Sequence, residues 1–173
     1  FILYYSIYIN SISSILNKIG ININSVPVLD VKRNKTNKII GDRSFSSNPK
    51  VVSKLGNYCI DLYSKNKIAT VMKHLPGHGL STVDSHNTTP VVHENRKILN
   101  NIDFTAFRKK NIFLAITAHI IFKSFDPINT ATHSKNIIRE IIRNKINYKN
   151  IIISDDISMK ALQFGFKDNV LKT

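Results

Sequence analysis

Four short, uninterrupted apolar runs constrain the fold of this 173-residue chain more than any other feature. The runs are "VPVL" at 26–29, "IATVM" at 68–72, "IFLAIT" at 112–117 and "IIIS" at 151–154. Each is continuous rather than alternating, which is typical of a β-strand buried on both faces. Helical patterns separate the runs, and this alternation of strand and helix predicts a parallel sheet.

The helical patterns lie at 6–19, after Asn48, at 94–110 and at 134–147. Asn48 and Pro49 make a favourable N-cap and first-turn pair, and apolar residues then recur at helical spacing as far as position 62. Ser134 is the candidate N-cap of the last helix. Cys59 is the only cysteine, which excludes an internal disulfide framework, and its place in the second helical pattern predicts a buried thiol.

Polar, titratable residues follow every apolar run. They are Asp30, then Lys73 and His74, then His119, and finally Asp155 and Asp156. Because functional groups at the C-terminal ends of parallel strands build the active site of a (β/α)8 barrel, we expect a fold of this TIM-barrel type. A doubly wound sheet is the alternative, but the chain has no G-x-G-x-x-G loop.

A complete barrel typically needs about 250 residues. We therefore expect residues 1–173 to form a single catalytic barrel domain that is truncated at both ends and lacks the first and last strands. A barrel without these strands has open edges, so we expect this polypeptide on its own to have little activity.

Two carboxylates and one imidazole are the candidate catalytic groups. Asp155 directly follows a predicted strand, and a stiff element that holds a carboxylate in place suits a nucleophile. Its neighbour Asp156 is expected to cap the next helix or to make a hydrogen bond. Asp84 and His86 are two residues apart in "DSH", and a carboxylate beside an imidazole favours the imidazolium, which makes His86 a candidate proton donor.

Three cationic or polar side chains are candidates for substrate binding. Lys73 and His74 lie where a predicted strand opens into the site, and the fork of the Arg43 guanidinium can bind substrate oxygens. A structural salt bridge between Arg43 and Asp42 or Asp30 is the alternative for that residue.

The histidines also permit a metal site. His74, His78 and His86, with Asp84, supply ligand types that zinc accepts, and a metal-dependent hydrolase is therefore an alternative function. No H-E-x-x-H or paired C-x-x-C motif accompanies them.

The formal net charge of +14, from 25 basic and 11 acidic residues, suits an anionic partner. The lysines are scattered, however, and form no basic stripe, so we interpret them as a solvated surface and expect no nucleic-acid partner. A non-enzymatic basic remnant that binds polyanions is the third alternative. The chain has no apolar run long enough to span a membrane and no signal-peptide pattern, which predicts a cytoplasmic protein without a membrane partner.

Six segments together resemble glycoside hydrolase family 3, and specifically its bacterial β-N-acetylglucosaminidase branch. In chain order they are "VPVLDV", "GDRSFSSNP", "KHLPGHG", "STVDSHNTTP", "TAHIIF" and "IIISDDISM". Leu75 replaces the Phe that is usual in the third segment, and Ile157 stands where Leu is common in the last. The similarity runs from about residue 20 to 165.

The resemblance implies a role for each matching residue. Asp155 corresponds to the nucleophile, His86 to the general acid/base and Asp84 to its partner, whereas most retaining glycosidases use a second carboxylate in place of the imidazole. The family positions that hold the sugar's hydroxyls and neighbouring groups correspond here to Arg43, Lys73 and His74. The implied reaction is hydrolysis of terminal non-reducing β-N-acetylglucosamine with retention. N-acetylglucosamine-containing saccharides such as muropeptides would be the substrates, within peptidoglycan recycling, and no metal or organic cofactor is implied. We expect a monomer.

Overall fold

The computed structural model describes residues 2–162 and 164–173. Its elements, in chain order, are α1 (Ile2–Lys18), β1 (Ile23–Asn24), a 3-10 turn (Gly41–Arg43), α2 (Pro49–Lys65), β2 (Ala69–Leu75), β3 (Val91–Val92), α3 (Arg96–Asn101), a second 3-10 turn (Phe104–Phe107), β4 (Leu114–Thr117), β5 (Ile121–Phe122), a π-helix (Ile137–Lys145), β6 (Ile151–Ser154) and α4 (Phe166–Lys172).

The main sheet has four parallel strands in the order β1-β2-β4-β6. Residues Leu75, Thr117 and Ser154 lie in register with one another at the C-terminal ends of β2, β4 and β6. A second, two-stranded parallel sheet pairs β3 with β5. Parallel strands joined by helices confirm the predicted α/β class, and the strand order is that of a partial barrel wall.

The predicted strand at 26–29 is wrong in its position. The regular strand is β1, two residues upstream, and the "VPVL" run forms only an isolated parallel bridge between Val28 and Lys73. The run still lies along β2, because Val71 N–H bonds to the Val26 carbonyl and Leu29 N–H to that of Lys73. Pro27 has no N–H, which prevents a regular ladder here.

The predicted burial of the last strand is also wrong. Ile151 and Ile153 are 46% and 38% exposed. Strand β6 stands at the edge of the sheet in the described part of the chain, so it has no neighbour on its outer side. The interior strands behave as predicted, and Val71, Met72 and Ala115 are buried.

Two of the four predicted helices form as expected. These are α1 and α2, and the Asn48 side chain accepts a hydrogen bond from Lys50 N–H at the start of α2. The predicted helix at 94–110 is interrupted after Asn101, because Asp103 turns to Arg33 and the rings of the next turn enter the core. Residues 137–145 form a π-helix, and the Ser134 hydroxyl accepts the N–H of Ile137 at its start.

The core lies between the sheet and its helices. Phe104, Phe107 and Phe122 are among its largest fully buried side chains, and a smaller cluster around Cys59 joins α1 to α2. Helix α1 leaves six large apolar side chains exposed, at positions 2, 3, 4, 7, 8 and 15, and Ile19 directly after the helix is exposed as well. In the described residues, no helix has the length and apolarity needed to cross a membrane.

The loop after β2 packs against the preceding strand-end loop. A Cβ atom at Gly79 would overlap the Val31 carbonyl, and Gly77 has a φ of +145°, which side chains disfavour. The Thr36 hydroxyl bonds to the Gly79 carbonyl, and Asn37 N–H bonds to that of Ser81. Small residues in "PGHGL" therefore let this loop approach closely.

We expect Gly79→Ala to lower the free energy of unfolding by about 2 kcal/mol, because the added methyl group must displace the Val31 backbone. Chemical denaturation of the purified chain measures this change. Gly165→Ala is the matched control, since a Cβ there meets no described atom within 4 Å and the backbone φ of −62° suits alanine. Equal denaturation midpoints for the two variants would show that the packing at Gly79 tolerates a side chain.

Candidate active site

Three of the predicted site residues, Asp155, Lys73 and His74, lie at one edge of the main sheet. Because Leu75, Thr117 and Ser154 are in register, the residues that follow them leave the sheet side by side. Asp155 is the first residue after β6. Lys73 and His74 lie inside β2 rather than after it, since this strand extends to Leu75.

A fully buried carboxylate, that of Asp30, organises the floor of this site. One of its oxygens lies 2.6 Å from Nδ1 of His74, and the other accepts the backbone N–H groups of His78 at 2.6 Å and His74 at 3.3 Å. Burial by itself would raise the pKa of Asp30, but the His74 imidazole and the His78 contacts hold it below its ordinary value. The carboxylate is therefore ionised, and His74 Nδ1 donates to it.

The opposite ring nitrogen of His74 faces the candidate nucleophile. Its Nε2 lies 3.9 Å from Oδ2 of Asp155, whose side chain is about one-third exposed. Asp156 turns away, and its carboxylate accepts both the N–H and the hydroxyl of Ser158, which lowers its pKa and confirms the predicted hydrogen-bonding role. Asp155 is thus the carboxylate that turns toward the other predicted site residues.

His119 supports the backbone beside Asp155. Its Nδ1 lies 2.7 Å from the Thr132 hydroxyl, and its Nε2 lies 3.1 Å from the Asp156 carbonyl oxygen. Burial lowers the pKa of His119. A neutral imidazole with an Nε2–H therefore donates to the carbonyl and holds the turn that follows β6.

Asp84 and His86 form a pair on the loop between β2 and β3, which we call the flap (residues 81–89). Oδ1 of Asp84 lies 2.8 Å from Nδ1 of His86 and accepts the backbone N–H of His86 at the same distance. These bonds from the His86 N–H and ring lower the pKa of Asp84. The His86 side chain is 61% exposed, so the pair lies at the surface of the site.

Lys73 and Arg43 form the cationic side of the site. Lys73 Nζ donates to the Ser25 hydroxyl at 3.1 Å, and burial, helped by the charge of Arg43, lowers the pKa of Lys73 against the opposing charges of Asp155 and Asp30. Arg43 and Lys73 line a cavity of about 570 Å³ bounded by α1.

The alternative salt bridge of Arg43 does not form. Its guanidinium donates to the Ile39 carbonyl at 2.9 Å, while Asp42 pairs with Lys32 and Asp30 pairs with His74. The guanidinium keeps further donors for a ligand.

The geometry does not favour the alternative metal site at His74, His78 and His86. His74 and His78 lie near each other, with ring centroids 5.4 Å apart, but each already binds a protein oxygen, and His86 binds Asp84 on the flap. Within residues 2–162 and 164–173, no three His, Cys, Asp or Glu side chains converge as metal ligands.

Comparison with known proteins identifies the family. The family described as Glycosyl hydrolase family 3 N terminal domain matches residues 10–173. The chain belongs to glycoside hydrolase family 3. The structure of a family 3 β-N-acetylglucosaminidase from Paenibacillus sp. str. FPU-7 superimposes with a TM-score of 0.82 at 32% identity, over 87% of this chain and 29% of that one. NagZ from Neisseria gonorrhoeae, in complex with N-trifluoroacetyl-D-glucosamine, superimposes with a TM-score of 0.81 at 29% identity, over 92% and 47%.

Curated relatives of this chain are named as beta-hexosaminidases. Beta-hexosaminidase A of Pseudoalteromonas piscicida is 32% identical over 91% of this chain, and the beta-hexosaminidase of Nitrosomonas eutropha is 32% identical over 84%. The chain spans 29% and 42% of the lengths of these two relatives. The predicted partial barrel of family 3 type is thereby confirmed.

Sequence reasoning missed several residues that build the site. The sequence pattern marks Asp30 and His119 only as polar residues beside strands, and it marks His78 only as a metal candidate. Their signal was their place at strand ends, but the partners of Asp30 come from a segment 44 and 48 residues away. Ser85 carried no signal, yet it is buried and its hydroxyl lies 3.2 Å from Nε2 of His78.

We expect His78 to stay neutral down to about pH 4, because burial lowers its pKa from 6.5 to about 4. In the unfolded chain the same imidazole takes up a proton near pH 6.5. The contribution of neutral His78 to stability is therefore complete above that pH and is lost as the pH falls from about 6.5 to about 4. NMR titration of the His78 ring measures this, and a His78→Gln variant assigns its signal. A His78 midpoint near pH 6.5 would contradict the burial argument.

Proposed function

We propose that the protein of which this chain is part is a retaining exo-glycosidase that hydrolyses terminal non-reducing β-N-acetylglucosamine. Asp155 is the nucleophile and His86 is the general acid/base. Support comes from the family, from the names of its beta-hexosaminidase relatives and from the glucosamine derivative bound to the Neisseria enzyme. Muropeptides of peptidoglycan recycling in the cytoplasm are the substrates in this proposal, and the chain acts as a monomer.

The observation that most supports this proposal is the arrangement of groups around Asp155. Its carboxylate faces His74 Nε2, and the charges of Lys73 and Asp155 influence each other. On the other side, the flap that carries Asp84 and His86 is tied to the segment just after the nucleophile, because Ala161 N–H bonds to the Ser85 carbonyl. The hydrogen bonds from Ser158 are the main cause of the lowered pKa of Asp156, and the charge of His86 acts in the same direction.

In the first step, the Asp155 carboxylate attacks the anomeric carbon and the glycosidic C–O bond breaks. The His86 imidazolium gives its proton to the departing oxygen, so a neutral alcohol leaves. In the second step, neutral His86 removes a proton from water, whose oxygen attacks the anomeric carbon and releases Asp155 as a carboxylate. Asp84 stabilises the imidazolium that exists before the first step and after the second.

The cationic side of the site binds the sugar. Lys73 and Arg43 present N–H groups that donate to the hydroxyl oxygens of the pyranose ring, and Nε2 is the ring nitrogen that His74 leaves for the sugar. Lys73 is partly desolvated, which strengthens its hydrogen bonds to a bound ligand. These contacts orient the anomeric carbon toward Asp155, which is the positioning that a covalent step requires.

A fluorinated N-acetylglucosaminyl fluoride tests the nucleophile, because it forms a glycosyl-enzyme that turns over slowly. We expect mass spectrometry of the labelled chain to place the sugar on Asp155, even where multiple turnover is slow. Asp155→Asn should lose the label. Asp156→Asn is the control and should keep it, since an amide oxygen still accepts from Ser158. A label on another residue, or equal labelling of both variants, would refute the assignment.

Azide tests the role of His86. In His86→Ala the second step loses its base, so hydrolysis of an aryl N-acetylglucosaminide should fall by about 100-fold or more. Azide attacks the glycosyl-enzyme without needing a base, and we expect it to restore release of the aryl group and to yield a glycosyl azide. His93→Ala, which removes another exposed imidazole, serves as the control and should behave as the parent chain. Absence of azide rescue in His86→Ala would count against a general-base role.

A further inference from the structure

The middle residue of the "DSH" segment differs from its neighbours in burial. Ser85 is 4% exposed, whereas the side chains on either side of it, Asp84 and His86, are 34% and 61% exposed. Ser85 thus points into the protein at the place where the flap carries its two functional groups outward. An inward polar side chain on a surface loop needs a partner there.

The bonds of Asp84 and His86 do not fix the flap against the rest of the protein. Asp84 accepts from the N–H and ring of His86 and from the Asn87 side chain, and its carbonyl accepts the N–H groups of Asn87 and Thr88. All of these bonds lie within residues 84–88 and move with them. They stabilise the turn formed by residues 84–88 but do not attach it to the rest of the protein.

Ser85 supplies the outward attachment of residues 84–88, whereas the first residues of the flap are attached through Asn37, which donates to the carbonyls of Ser81 and Thr82. Its hydroxyl lies 3.2 Å from Nε2 of His78, and its carbonyl accepts the N–H of Ala161 at 3.2 Å. Among the described residues, every hydrogen bond from 84–88 to the remainder of the chain passes through Ser85. The Thr89 hydroxyl, just beyond, donates to the Ala161 carbonyl at 2.7 Å.

The partner of the Ser85 hydroxyl is itself buried and hydrogen-bonded. His78 is 3% exposed, its backbone N–H bonds to the buried Asp30 carboxylate, and its ring lies edge-on to that of His74. A hydrogen bond from Ser85 to His78 therefore connects the flap to the same carboxylate that orients His74. The Ala161 bond connects it to the segment that follows Asp155.

We propose that Ser85 is a positioning residue, and that its hydrogen bond to His78 latches the flap so that His86 is held in place relative to Asp155. The catalytic part of this inference rests on the proposed function. The hydrogen bond itself belongs to this chain, because both of its partners, Ser85 and His78, are described residues. Its loss would leave the Asp84–His86 pair intact but less firmly held relative to Asp155, because only the backbone bond to Ala161 would then attach residues 84–88.

The exchange rate of the Ala161 amide hydrogen reports the latch directly, because that N–H is released when the flap lifts. In Ser85→Ala the backbone carbonyl remains but the hydroxyl is gone, and NMR should show about 2- to 10-fold faster exchange at Ala161. The Ala118 amide, which bonds to the Leu75 carbonyl, is the internal reference and should be unchanged. Ser124→Ala is the matched control, since that buried hydroxyl has no described partner.

Unchanged exchange at Ala161 in Ser85→Ala would overturn the latch. Should that variant unfold, two further measurements decide. His78→Gln removes the imidazole partner of the same hydrogen bond and should accelerate exchange of the Ala161 amide hydrogen to the same extent. In the unaltered chain, Ala161 should exchange at least 10-fold more slowly than in a free peptide, and exchange at the free-peptide rate would refute the latch without any variant.

Turnover of an aryl N-acetylglucosaminide tests the catalytic consequence. Ser85→Ala should lower kcat by about 10-fold without raising KM, and azide should restore the rate, because the lost function is that of His86 rather than of sugar binding. A rise in KM alone would contradict a positioning role. If Ala161 responds as expected but Asp155 of the unaltered chain takes no label from the glycosyl fluoride, the latch stands and the proposed function fails.

Discussion

Burying an ionised carboxylate away from water costs free energy unless donors satisfy both of its oxygens. The buried carboxylate of Asp30 meets this condition through three hydrogen bonds. The donors come from His74, at the end of β2, and from His78, in the loop that follows. The chain between these two residues therefore cannot shift without exposing an unpaired charge. The remainder of the site is built outward from this carboxylate: the ring of His74 faces Asp155, the proposed nucleophile, and the ring of His78 faces the flap.

The parallel sheet supplies the second constraint, because its register decides which side chains can meet. Leu75, Thr117 and Ser154 lie level, so the loops after β2, β4 and β6 start from one edge. Each loop then contributes a different element: the flap, the His119 support and the Asp155 turn. Loop identity can vary on such a frame without altering the sheet, which is why the functional groups concentrate there rather than in the strand interiors.

Sequence patterns predicted what depends on neighbours along the chain and failed where distant segments decide. The continuous run at 68–72, the Asn48 cap and the hydrogen-bonded Asp156 follow from local rules, and all three are confirmed. Exposure of Ile151 depends on the absence of a further strand beside β6 in the described residues, which no local pattern encodes. Ser85 could not be predicted either, since a serine between two titratable residues looks like any loop residue until His78 is placed next to it.

The contrast among the histidines explains why the proposed mechanism uses the one on the flap. Burial lowers the pKa values of His78 and His119, and both rings are committed to protein partners that hold a loop in place. A group that must gain and lose a proton in each cycle cannot also be a fixed structural donor, because each change of charge would break the bond it makes. His86 is exposed, uses Nδ1 for Asp84 and leaves Nε2 for the substrate. Exposure, however, removes the packing that normally fixes a side chain, so positioning must come from the next residue inward, and this is the requirement that a buried Ser85 meets.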